Sequence, residues 1–131
     1  QCTQYIAGQD FERRQAFIQF HAHNRLVRFH LTLPQGSAPR TTRRKNHSSR
    51  LIDQAQRERS RWRALLLVIK AKLEAVEAEI TTFEEEFLAH IVMPDGKTVG
   101  EHARPAIASA YSTGKMPNLL PAWGGKDDDP Q

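Results

Sequence analysis

The stretch SSRLIDQAQRERSRWRALLLVIKAKLEAVEAEI, Ser48 to Ile80, decides the fold. Apolar residues recur at Leu51/Ile52, Ala55, Trp62, Leu65/Leu66, Ile69, Leu73, Val76 and Ile80, a helical spacing with one gap near Glu58. No Gly or Pro interrupts the run, and its Ala, Leu, Arg, Lys, Glu and Gln are strong helix formers. Ser48 or Ser49 can cap its start. The pattern predicts one amphipathic helix of ~33 residues, ~50 Å long at ~1.5 Å per residue. A compact domain of this chain length has a radius of gyration of only ~14 Å. Such a helix spans the molecule, protrudes from it, or is shared with a partner.

Upstream, Ala16 to Ala22 and Arg25 to Leu33 alternate with a period of two and predict paired strands around a turn at His23-Asn24-Arg25. A turn at His23-Asn24 pairs Phe20 with Val27; one at Asn24-Arg25 pairs Phe20 with Phe29. Face membership is the same in both registers. Ala16, Ile18, Phe20, Ala22, Val27, Phe29, Leu31 and Leu33 form the face that must be core. Phe17, Gln19, His21, His23, Leu26, Arg28, His30 and Thr32 form a mixed face. Thr3 to Gln9 reads as a third, shorter strand. Pro34 ends the hairpin, and residues 35–47 read as a basic flexible loop.

Downstream, Thr81 or Thr82 can cap a helix over Phe83 to Val92 with Glu84 or Glu85. Pro94-Asp95-Gly96 is a turn, and Thr98 with Glu101 opens a last helix to Gly114, in which Pro105 implies a kink or a late start. Met116 to Pro121 reads as an apolar tail docked on the core, and residues 122–131 as a disordered acidic tail. The expected fold is α+β: a two- or three-stranded antiparallel meander, a long amphipathic helix and two shorter helices, in one domain over residues 1–121. The expected core contact sets Trp62, Leu65, Leu66, Ile69, Leu73 and Val76 on Ile18, Phe20, Phe29 and Leu31.

Two segments carry a resemblance: Arg61-Trp62-Arg63-Ala64-Leu65-Leu66-Leu67-Val68-Ile69-Lys70-Ala71-Lys72-Leu73-Glu74-Ala75-Val76, and Phe83-Glu84-Glu85-Glu86-Phe87-Leu88-Ala89-His90-Ile91-Val92-Met93-Pro94-Asp95-Gly96-Lys97-Thr98-Val99-Gly100. With Met116-Pro117 and Leu119-Leu120-Pro121, the chain resembles a family of small, functionally uncharacterised proteins encoded by tailed phages, prophages and mobile elements. The resemblance implies a genomic setting and no chemistry, and no functional residue comes with it.

Bulk properties bound the function. Cys2 is the single cysteine, which excludes an intrachain disulfide and speaks against a cysteine-based metal site. No apolar run approaches the ~20 residues of a membrane span, and no secretory core opens the chain, so a cytoplasmic protein of a host cell is expected. The chain starts at Gln1, which reads as a fragment or a processed product.

Charge segregation is the strongest functional signal. From Arg40 to Lys72, eleven Lys and Arg face only Asp53 and Glu58, whereas from Glu74 to Glu101 eight acids face only Lys97. That order opposes the helix macrodipole, at a cost of a few tenths of a kcal/mol (~0.3 or more) per charge. Phosphate backbone is the natural ligand of a basic arm leading into a basic helix. The expected nucleic-acid residues are Arg40, Arg43, Arg44, Lys45, Arg50, Arg57, Arg61 and Arg63, with Arg59 beside Arg63 on a second flank. The mixed sheet face adds Phe17, His21 and Arg28, since aromatic rings stack on bases and cations hold phosphates. The expected function is a non-enzymatic phage or mobile-element accessory protein that binds DNA or RNA. The alternative is a protein-interaction module, such as an inhibitor or adaptor of a host or phage enzyme. A homodimer through the long helix is expected in addition.

No cofactor, metal or catalytic residue is expected. His21, His23 and His30 share a face, but no carboxylate or cysteine accompanies them in the hairpin. His90 and His102 read as members of surface ion pairs. Glu84, Glu85 and Glu86 are consecutive on a helix, point in three directions and cannot converge on one substrate.

Overall fold

The computed structural model describes residues 4–34 and 47–120, with only the helical backbone described for residues 47–51. Arg40, Arg43, Arg44, Lys45, the Arg50 side chain and the acidic 122–131 segment lie outside the described residues.

Three antiparallel strands, β1 (Gln4–Asp10), β2 (Gln15–Ala22) and β3 (Arg25–Thr32), form one sheet in the order β1-β2-β3. Phe20 pairs with Val27 and Ala22 with Arg25, so the hairpin closes through the two-residue turn at His23-Asn24. Both turn residues have positive φ, 48° and 57°, the conformation whose twist matches a tight hairpin. Asn tolerates that region and His is enriched there, which selects this register of the two. At the β1–β2 turn the Asp10 carboxylate accepts the N–H groups of Glu12 and Arg13, both at 3.0 Å.

The long helix α1 runs over His47–Glu77, about 46 Å at ~1.5 Å per residue. It stops short of Ile80 because Glu79 turns left-handed (φ 58°); the Ile80 N–H then donates to Ala75 O and the Glu79 N–H to Val76 O, both 3.1 Å. This double closure is a Schellman motif with glutamate where glycine is usual. Two shorter helices follow, α2 (Phe83–Phe87), with a single 3-10 turn at Leu88–His90, and α3 (Val99–Thr113). Thr82 with Glu85, and Thr98 with Glu101, form the expected capping boxes. Helix α3 starts at Val99 and continues past Pro105, so Pro105 does not delay its start.

The expected helix through Val92 ends early. Ile91 bridges to Val27 on the outer edge of β3, and Val92 bridges to Thr98. The Val92 N–H donates to Leu26 O at 2.8 Å, so the β3 edge captures backbone groups that a helix would have used internally.

The core unites Phe20, Ala22, Val27 and Phe29 of the sheet with Ile69, Phe83 and Phe87; Ile18, Leu65 and Val76 pack against it. The Phe87 ring is fully buried and meets Phe20 and Phe29 edge-on, at centroid distances of 6.3 and 6.1 Å. The sheet face expected to be core is core, but the layer over it differs. Two phenylalanines of α2 take the centre, and α1 contributes Leu65, Ile69 and Val76. Leu66 and Leu73, expected in the contact, are 64% and 38% exposed. Four consecutive apolar residues, Leu65 to Val68, wrap the helix, and one flat sheet can cover only part of that circumference. On β1, Tyr5 pairs with Phe20 on the core face yet is 71% exposed, so the helical layer does not extend over this strand. Met116 is 83% exposed, and the apolar tail does not dock as expected.

Candidate nucleic-acid interface

The N-terminal half of α1 carries the expected basic surface on one unbroken helix. Arg59, Arg61 and Arg63 are exposed, and no carboxylate pairs with them among the described residues. Arg57 is partly buried and has a partner of its own. At ~3.6 residues per turn, Arg57 and Arg61 share one flank and Arg59 and Arg63 another. Two shallow concavities reflect this division. Arg57 lines one with Asp53, Gln56 and Ser60; Arg59 and Arg63 line the second with Gln56 and Ser60. The first turn of α1 holds no acid to offset its helix dipole.

The acids of the C-terminal half are largely spent inside the fold. Glu84 accepts from Arg25 at 2.6 Å, Glu85 caps α2 through Thr82, and Glu86 binds Lys72 Nζ at 3.0 Å. Lys72 also donates to the Glu86 backbone carbonyl at 3.0 Å and lies 5.9 Å from the Phe87 ring centroid. The three glutamates diverge as expected. The charge segregation of the sequence thus becomes a basic stretch of α1 in which Arg59, Arg61 and Arg63 face no carboxylate among the described residues, and an acidic run, Glu84 to Glu86, that is paired within the fold.

The mixed sheet face is less available than the sequence suggests. The Phe17 ring lies across Gly8, where an added Cβ would meet it at 2.5 Å, so it serves the β1–β2 pair. The Arg28 guanidinium donates to Gln19 Oε1 at 2.9 Å and to Gly96 O at 2.8 Å, which fixes it against the 93–98 turn. His21 is exposed on β2. His23 leaves this face at the turn and stacks on Phe83 at 4.5 Å. Of the three residues assigned here, His21 alone is free of an evident structural role.

The remaining histidines separate by environment. His90 stacks on Phe29, with ring centroids 3.9 Å apart, and does not form the expected surface ion pair. Burial, and then the Lys72 charge, push its imidazole below the ordinary value, against a hydrogen bond to the Arg28 backbone. His102 Nε2 lies 2.6 Å from Asp95 Oδ2, with the His102 side chain largely buried rather than on the surface as expected. The Lys97 N–H, at 3.0 Å, holds Asp95 below the usual carboxylate range. The Thr98 N–H does the same for Glu101 at 2.6 Å, and His30 lies 4.0 Å from that carboxylate. Among the described residues, no three His, Cys, Asp or Glu side chains gather where they could hold a metal ion. No helix among them is long and apolar enough to cross a membrane.

Sequence reasoning missed the uncovered apolar side of α1. Leu66, Leu67 and Val68 are 64%, 61% and 48% exposed. The signal was present in the unbroken apolar run itself, which no single contact face could absorb. No protein-family model, curated protein or solved structure matches this chain.

Proposed function

We propose that this protein is a non-enzymatic nucleic-acid-binding accessory protein of a phage or mobile element, holding phosphate backbone on the basic half of α1 and the preceding arm. The observation that carries the reading is Arg61, exposed in the basic half of α1 without an acidic partner among the described residues, with Arg59 and Arg63 exposed beside it in the monomer. A cation that has found no protein carboxylate keeps its full capacity to displace counterions from a phosphate chain. Arg43, Arg44 and Lys45 of the arm extend the same charge toward the helix N-terminus. Among the described residues no side-chain set is arranged for base-edge recognition, and binding is expected to follow the backbone with little sequence preference.

Fluorescence anisotropy on short single- and double-stranded oligonucleotides tests this. With about five phosphates neutralised, the log–log salt slope is roughly −3.5 on single strands and −4.5 on duplex. Arg61→Ala shallows the slope by ~0.7 to 0.9 and leaves the melting temperature in place, because the side chain does not pack in the core. Absence of any anisotropy change with DNA and RNA near ~50 mM salt overturns the proposal. The exposed apolar side chains of α1 then favour the second reading, a module that docks on another protein.

A further inference from the structure

Helix α1 carries a second seam beside the one the sheet covers. Ile52, Arg59, Leu66 and Leu73 recur every seven residues, and Ile52, Leu66 and Leu73 are 63%, 64% and 38% exposed. A seven-residue repeat is the period that keeps one stripe facing a second helix. Arg59 is the one polar position in this seam, and a charge there requires an opposite charge across the contact.

The same helix supplies that charge if a second copy runs antiparallel. Glu77 and Glu74 lie on the flank of Arg59 and Arg63. Glu77 has no ion-pair partner among the described residues, and Glu74 only an exposed 3.8 Å contact with Lys70. Pairing Arg59 with Glu77 of the second copy places the two-fold axis at Val68. Pairing Arg63 with Glu74 places it between Val68 and Ile69. The two charge pairs thus place the axis within half a residue of each other, under ~1 Å along the helix. Around that axis Leu66 meets Leu66, Lys70 and Leu73 of the copy. A parallel pair would instead oppose Arg59 to Arg59 and Arg63 to Arg63.

We propose that this seam is a self-association surface on which two copies of the chain pair α1 antiparallel about Val68. Residues 59–77 overlap, about 28 Å of helix. Arg61 lies on the opposite side of the helix from the seam and stays exposed in the dimer. The surface gives cover to Leu66 and Leu73, which the sheet leaves bare.

Sedimentation equilibrium of the full chain without nucleic acid, at about 10 to 100 µM protein and ~50 mM salt, gives twice the chain mass. Leu66→Ser raises the dimer dissociation constant at least about tenfold while the monomer circular dichroism is unchanged, because the side chain is exposed. Arg59→Glu with Arg63→Glu raises it comparably by setting like charges opposite one another. Adding Glu74→Arg and Glu77→Arg to that variant restores the constant to within about threefold, since every pair is re-formed with its signs exchanged. A monomer at the highest concentration, a mass above the dimer, indifference to Leu66→Ser, or failure of the four-charge variant to recover overturns the proposal. These masses are read without oligonucleotide, so they stand or fall apart from the anisotropy result.

Discussion

Ile69 and Leu66 are neighbours on one helix with opposite fates. Ile69 is 8% exposed in the aromatic core, whereas Leu66 is 64% exposed. Truncating a buried isoleucine removes its transfer free energy and leaves a cavity, a loss of ~2–5 kcal/mol. An exposed leucine has neither contribution to lose, and its truncation stays within ~0.5 kcal/mol. Urea titration of dilute Ile69→Ala and Leu66→Ala proteins, below the concentration of self-association, separates the two. Equal losses would mean that α1 presents a different face to the sheet. Arg28 shows the same dependence on surroundings: its charge invites a phosphate, but two fixed acceptors hold the guanidinium.

At the level of elements, α1 is anchored along only part of its length. Its core contacts are Leu65, Ile69 and Val76, all in the C-terminal half, reinforced by Lys72 on Glu86. Ile52, Ala55 and Gln56 are exposed. A helical segment without tertiary contacts is marginal below ~12–15 residues, so its hydrogen bonds open locally at little cost. Backbone amides of residues 52–58 are expected to exchange at least about tenfold faster than those of 66–76 in the monomer. Hydrogen exchange resolved by peptide checks this; uniform protection along α1 would show that the basic half is held by contacts outside the core described. The second half of the chain behaves in the opposite way. Helix α2 is only five residues long, yet Phe83 and Phe87 make it the centre of the core.

For the whole molecule, the response to pH follows from where its titrating groups sit. An unfolded histidine titrates near ~6.5, whereas His90 in the fold is held lower by burial. Between those two values the unfolded chain binds more protons, so stability rises with pH there. The His90 contribution is full above ~6.5 and is lost as pH falls through the folded value. Asp95 and Glu101 are held below the usual carboxylate range, so their contributions survive above ~4 and are lost below it. Thermal melts of dilute protein should therefore weaken from about pH 7 to pH 5, and His90→Phe should flatten that slope while keeping a ring against Phe29. An unchanged slope in the variant would assign the pH dependence elsewhere.

The local and periodic features of this protein are written in its sequence. The alternation of Ala16 to Leu33 determines which sheet face is buried, Thr82 and Thr98 determine where two helices begin, and the run from Ser48 onward determines one long helix. Each depends on contacts within a few residues or on a repeat that survives any tertiary arrangement. The arginine series along α1 was legible for the same reason, since spacing alone assigns a helix flank. Tertiary structure decided what depends on distant surfaces meeting. It made Phe83 and Phe87 the core, drew Ile91 and Val92 out of a helix onto the β3 edge, and buried His90 against Phe29. It also occupied Arg28 and left Leu66 and Leu73 bare. Periodicity marks a stripe as apolar, but only the limited area of a three-stranded sheet decides how much of that stripe finds cover.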